Sequence, residues 1–257
     1  MTQKKRNRPK NARRGIYILP NLFTTASLFC GFYSIVASFN GDFTKAAWAI
    51  LCSAIFDWLD GKIARLSRTI SRFGVEYDSL SDVIAFGIAP GVMVYTWALI
   101  PFGRTGWLAS FLYVACAALR LARFNVQSGT VETRYFQGMP TPAAGGLLAT
   151  TIILSAYLGW IEINKHIPIL MMTFFISFMM VSKVRYPSFK QLELSEKTSF
   201  QLLVIMLGIL IIIAAEPQIT LFVFFSLYAC SGPTIALKER LGTLRNRTLV
   251  KEEDVKA

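Results

Sequence analysis

The sequence predicts an all-α integral membrane protein, a polytopic bundle of about eight transmembrane helices. Hydrophobic residues make up 54% of its 257 residues, and charged residues only 16%. Apolar runs of roughly 20 residues recur from end to end, each long enough to cross the hydrocarbon core of a bilayer. Lys and Arg concentrate in alternate loops, as orientation in a membrane requires. This composition excludes a disordered chain, a collagen repeat and a small disulfide scaffold.

The candidate spans fall at about 16–39, 43–67, 78–100, 107–125, 142–161, 166–183, 200–215 and 218–237. A basic stretch, Met1 to Arg14, imitates the start of a signal peptide, but no small-residue cleavage site occurs before Phe39. The first span is therefore expected to be retained. Pro90 inside the third span and Pro168 near the start of the sixth mark kinks or helix starts. With the N-terminus in the cytoplasm, the outward turns hold Lys45, Arg104 and Lys165, only three of the 27 bases. An even number of spans then places both termini in the cytoplasm. A basic tail, 1–15, and a charged tail, 238–257, flank the spans. Topogenic charge and contact with anionic lipid head groups both account for them.

The net charge of +12 lies in tails and inward loops, so it argues against nucleic-acid binding. Cys30, Cys52, Cys116 and Cys230 stand singly in apolar runs and read as small buried apolar residues. His166 is the sole histidine, and a soft-metal site is excluded with it.

Most of the 15 acidic residues belong to loops or tails, but Asp57, Asp60, Asp78 and Asp82 do not. A carboxylate in mid-bilayer costs on the order of 2.5–3.5 kcal/mol, so several together need compensation. Lys62 and Arg65 are the only nearby bases, and a bound divalent cation compensates better. On a helical wheel Asp57, Asp60, Gly61, Ala64 and Arg65 share one face, and Asp78 and Asp82 share another at i,i+4. The short connection from Ser67 to Tyr77 folds the third span back beside the second, so the four carboxylates converge. An oxygen-only cluster selects a hard cation, Mg²⁺ first, then Mn²⁺ or Ca²⁺.

Written out, the segment is Asp57-x2-Asp60-Gly61-x2-Ala64-Arg65-x8-Gly74-x3-Asp78-x3-Asp82. Chance occurrence of so many fixed positions is on the order of 10⁻¹⁰ per starting point. The segment resembles the signature of the CDP-alcohol phosphotransferase family, with no departure at a fixed position. The likeness extends to Pro20–Thr24, Phe136–Ala144, Ala118–Asn125 and Val181–Pro187, which resemble the family's serine-accepting branch in bacteria and archaea. It covers residues 16–190 and implies a six-helix catalytic core there. The two additional C-terminal helices, 191–237, lie beyond it and have no assigned role.

The resemblance implies displacement of CMP from CDP-diacylglycerol by an alcohol, with L-serine expected as acceptor and two divalent ions, Mg²⁺ or Mn²⁺, as cofactors. It further implies that Asp57 and Asp78 bridge the ions, that Asp60 completes the first site, and that Asp82 ligates the second and acts as general base. Gly61 and Ala64 let the nucleotide approach the backbone, Arg65 meets phosphate, and Asn21, Thr24 and Ser71 line the pocket. Arg120, Arg123 and Asn125 are the expected serine-binding residues, since arginine holds a carboxylate bidentately. The resemblance also implies a homodimer in a bacterial inner membrane, with the site at the cytoplasmic face.

Plainer readings stand beside these. Gly61 and Ala64 serve helix packing as well as substrate approach. Asn21 and Thr24 equally suit a helix cap, and Ser71 an ordinary loop. Arg120, Arg123, Lys183 and Arg185 sit where snorkelling bases are expected, and the Gly138–Pro142 stretch either shapes the acceptor pocket by rigid turns or serves as a plain loop-to-helix transition. Glycerol 3-phosphate, inositol phosphate and choline remain alternative acceptors. A cation transporter would use the aspartates for ion passage, and a membrane scaffold would tolerate their loss.

Overall fold

The computed structural model describes residues 18–67, 71–127, 135–160, 167–187, 207–208 and 215–256. The expected tail 1–15, His166, and the expected span 200–215 apart from residues 207, 208 and 215 lie outside them. The described helices are α1 (Ile18–Phe39), α2 (Phe43–Leu66), α3 (Arg72–Asp82), α4 (Ala89–Val94), α5 (Arg104–Gln127), α6 (Thr141–Tyr157), α7 (Ile167–Val181) and α8 (Pro217–Lys256). π-helical turns at Val83–Ile88 and Tyr95–Leu99, then a 3₁₀ turn at Ile100–Phe102, make α3 and α4 parts of one span.

The protein is an all-α membrane protein. Pro20–Phe39, Arg72–Phe102, Arg104–Val126 and Pro217–Lys238 are long and apolar enough to cross a bilayer, while α6 and α7 are shorter apolar helices. α2 has the length too, but Lys45, Asp57, Asp60, Lys62 and Arg65 interrupt it. Phe29, Phe32, Phe39, Phe111 and Phe178 face outward, an apolar exterior that suits lipid rather than water. Cys52 and Cys230 lie on that exterior, and Cys116 is buried, so the expectation of four buried thiols holds only in part.

Three features differ from expectation. The third span starts at Arg72, because the Ser71 hydroxyl accepts from Gly74 N–H at 3.0 Å and caps the helix. Asp78 and Asp82 therefore lie well inside a helix and not at its start. α8 continues to Lys256, through the stretch expected as a tail. Finally, Tyr135–Gln137 (β1) pairs antiparallel with Arg185–Pro187 (β2), placing Phe136 opposite Tyr186. Strands this short leave no periodicity to read.

Close helix approach positions the site. A Cβ on Gly31 would stand 2.7 Å from Ala85 Cα, so only glycine admits α1 against the third span. The Ser27 and Ser53 hydroxyls lie 2.7 Å apart, one donating to the other, and each is within reach of the other's carbonyl, locking the register of α1 on α2. Pro90 has no N–H for the Phe86 carbonyl; the buried Tyr113 hydroxyl donates to it instead at 2.9 Å. Ala46, Ala47, Ile50, Phe86, Met93, Leu148, Ile152 and Ile176 fill the interior between these helices.

Candidate metal centre and adjoining cleft

The four aspartates come from two successive helices, Asp57 and Asp60 on α2 and Asp78 and Asp82 on α3. Carboxylate oxygens of Asp57, Asp60 and Asp78 lie within 4.8 Å of one another. Asp82, one turn along α3 from Asp78, is not one of that group of three but lies close enough to Asp57 for their charges to interact. Asp60 is only 4% exposed and accepts from the Thr24 hydroxyl at 2.7 Å.

Arg65 and Arg120 act on the group only from a distance. Among the described residues, no Lys or Arg forms an ion pair with these carboxylates; Lys62 instead sits over the Trp58 ring at 4.5 Å. One oxygen each of Asp78 and Asp82 is buried with no hydrogen-bond partner. Converging, unpartnered carboxylate oxygens without His or Cys are the donor set of a hard divalent cation, so the residues fit one.

An open cleft adjoins the cluster, lined by Pro20, Asn21, Thr24, Asp60, Gly61, Ala64, Arg65, Ser71, Gly74, Val75 and Asp78. All six residues expected to meet the CDP-lipid (Asn21, Thr24, Gly61, Ala64, Arg65 and Ser71) lie on this one cleft. Asn21 and Thr24 fall within the first two turns of α1 and do not cap it. The α2 face is open at Gly61, where an added Cβ would meet only the Arg65 guanidinium, 3.6 Å away. Gly74 and Ser71 have a local role as well: Ser71 caps α3, and a Cβ on Gly74 would press on Ser71 Oγ at 3.1 Å and Asn21 Oδ1 at 3.4 Å.

The expected serine-binding residues are divided. Arg120 is buried, donates from Nη1 to Thr141 Oγ1 at 3.2 Å, and leaves its Nε unpartnered. It lies within electrostatic reach of Asp82. Arg123 donates from Nη1 to the Val181 carbonyl at 3.0 Å. Asn125, by contrast, exchanges hydrogen bonds with Ser79 of α3, at 2.9 and 3.2 Å. It sits about 140° round α5 from Arg120, so the two do not share a face. Lys183 and Arg185 are exposed. Thr141 belongs to the Gly138–Pro142 stretch already expected at the acceptor pocket, whereas nothing in the sequence singles out Ser79.

Comparison with known proteins supplies the frame for this geometry. Residues 17–228 match the family model described as CDP-alcohol phosphatidyltransferase. The chain is 39% identical over 217 residues to a CDP-diacylglycerol–serine O-phosphatidyltransferase of Helicobacter pylori, covering 84% of this chain and 90% of that protein. It is 33% identical over 175 residues to the Bacillus subtilis protein of the same name, covering 67% and 92%. An archaetidylserine synthase of Methanothermobacter thermautotrophicus is 36% identical over 171 residues, covering 66% and 69%.

Proposed function

The chain belongs to the CDP-alcohol phosphatidyltransferase family, and from that premise we propose that it is a phosphatidylserine synthase. It transfers the phosphatidyl group of CDP-diacylglycerol to the hydroxyl of L-serine and releases CMP. The observation that carries this reading is the junction of two open polar ends. Asp82 presents a buried unpartnered oxygen beside the aspartate cluster, and Arg120 presents a buried unpartnered donor within electrostatic reach of it. Serine has both complements, a hydroxyl for the carboxylate and a carboxylate for the guanidinium.

Asp57, Asp60, Asp78 and Asp82 would hold the divalent ions, Mg²⁺ or Mn²⁺. When bound, these supply charge neutralisation for the diphosphate and its leaving oxygen. The chain's own residues do the rest. Gly61 and Ala64 leave the α2 backbone open to the nucleotide, Arg65 meets phosphate, and Asn21, Thr24 and Ser71 border the same cleft. Asp82 takes the proton from the serine hydroxyl as its oxygen attacks the lipid-linked phosphorus. The bond from that phosphorus to the CMP oxygen breaks in the same step, and CMP leaves with the electron pair. Arg120, with Arg123 nearby on the same helix, holds the serine carboxylate, while Asn125 steadies α5 on α3 through Ser79.

The distribution of bases supports a multi-pass orientation in the inner membrane with this site at the cytoplasmic face. The acyl chains then stay in the adjoining leaflet and need no enclosed pocket. Purified protein offered CDP-diacylglycerol with each acceptor in turn tests the reading. CMP is expected with L-serine; release with glycerol 3-phosphate and not with serine overturns it.

A further inference from the structure

The last helix takes no part in the chemistry above, yet it is keyed into the acceptor side of the molecule. Tyr186 of β2 is fully buried, and a methyl on Gly232 of α8 would overlap its ring. The Tyr186 hydroxyl donates to the Ala229 carbonyl at 3.2 Å. Tyr228, one turn before Gly232, packs its ring against Tyr186 with centroids 5.6 Å apart. Further back along the helix, Phe225 fills the space over Gly146 of α6, where a methyl would again collide. Two glycine notches, one on each side of the contact, thus fix α8 to the core.

From Tyr186 the path to the arginines is short. Tyr186 stands opposite Phe136 in the two-stranded ladder. Gly138, with φ +79°, follows β1 and donates to the Val184 carbonyl at 2.8 Å. Three residues later Thr141 accepts from Arg120. On the other side of the ladder, Val181 closes α7 and accepts from Arg123. Each arginine is therefore held by one of the two segments that the ladder joins, and the ladder's position sets the spacing of the guanidinium groups. Recognition by a guanidinium is directional, and a loose support costs affinity.

We propose that Tyr186 is a positioning residue of the acceptor site, and that α8, by gripping its ring and hydroxyl, sets affinity for the acceptor. This rests on the reading of Arg120 as an acceptor-binding group. A purely structural role for the contact would weaken both substrates alike.

Wild type, Tyr186→Phe and Gly232→Val are assayed in lipid nanodiscs for CMP release, with L-serine and CDP-diacylglycerol varied separately. Tyr186→Phe removes only the bond to Ala229; it is expected to raise KM for L-serine about threefold to tenfold and leave KM for CDP-diacylglycerol within about twofold. Gly232→Val displaces the ring and is expected to enlarge the same split. Equal rises in both KM values, a fall in kcat alone, or an unchanged serine KM in Tyr186→Phe overturns the proposal. That variant decides the matter even where Gly232→Val fails to fold. Wild-type protein that releases CMP with another acceptor and not with L-serine overturns the acceptor reading instead. The same comparison with that acceptor then judges Tyr186 by itself.

Discussion

The Thr24 hydroxyl donates to Asp60 Oδ2 at 2.7 Å, joining the first helix to the aspartate cluster carried by the second. The same hydroxyl also reaches the Pro20 carbonyl at 3.2 Å, which fixes its orientation. One turn along α1, the Ser27–Ser53 contact holds the two helices in register. Thr24 thus helps to constrain a buried carboxylate that the Gly61 N–H also holds. Groups that support metal-binding carboxylates in this way typically contribute tenfold to a hundredfold in affinity. Thr24→Val keeps the shape and removes the donor, so the Mg²⁺ concentration for half-maximal CMP release is expected to rise about tenfold. An unchanged Mg²⁺ dependence would show that Asp60 needs no such support.

Asp82 combines a buried unpartnered oxygen with a place beside Asp57, and the proposed mechanism makes it the base. Asp82→Asn keeps the size of the side chain and removes the proton acceptor. CMP release is expected to fall about 10²–10⁴-fold, while CMP binding, followed by calorimetry in saturating Mg²⁺, survives. Chelation of divalent ions by EDTA is expected to stop wild-type turnover, and Mg²⁺ or Mn²⁺ to restore it. Turnover that persists in EDTA sinks the assignment of the cluster as a metal centre.

Much of this site was legible because its residues contradict their surroundings. Four carboxylates in apolar runs need a reason, and helical spacing alone puts Asp57 with Asp60 and Asp78 with Asp82. Gly61, Ala64 and Arg65 follow from the same wheel, and they line the cleft beside Asp60. The start of α3 was not legible. Ser71 caps it, but Gly74 stands three residues later, where a capping box would carry Glu or Gln. Hydropathy therefore set the boundary at Asp78. The separation of Asn125 from Arg120 depends on Ser79, a partner from another helix, and no local pattern announces it. Nor does anything local announce that Thr141 meets Arg120 or that Tyr186 sits against Gly232: these contacts join segments far apart in the chain.

Arg120 separates charge from geometry. Its guanidinium uses Nη1 on Thr141 and leaves Nε open, an arrangement a point charge does not reproduce. Arg120→Lys keeps the charge but loses the planar fork. KM for L-serine is expected to rise about tenfold or more, with KM for CDP-diacylglycerol little changed. A parallel rise in both constants would place Arg120 on the nucleotide side instead.

Gly61 distinguishes room for substrate from room for a neighbouring helix. A Cβ at Gly31 would press on the backbone of Ala85, whereas one at Gly61 would find only Arg65 at ordinary contact distance. Among the described residues, no other helix comes within contact distance of a Cβ at Gly61. Gly61→Ala is therefore accommodated by the protein itself, and replacing a helical glycine with alanine stabilises by up to about 1 kcal/mol. Thermal unfolding in detergent is expected to show an unchanged or slightly raised Tm. If the nucleotide lies against this part of α2, the added methyl meets it directly, and KM for CDP-diacylglycerol rises while KM for L-serine does not. A lowered Tm would return Gly61 to a packing role, and an unaltered KM would move the nucleotide away from it.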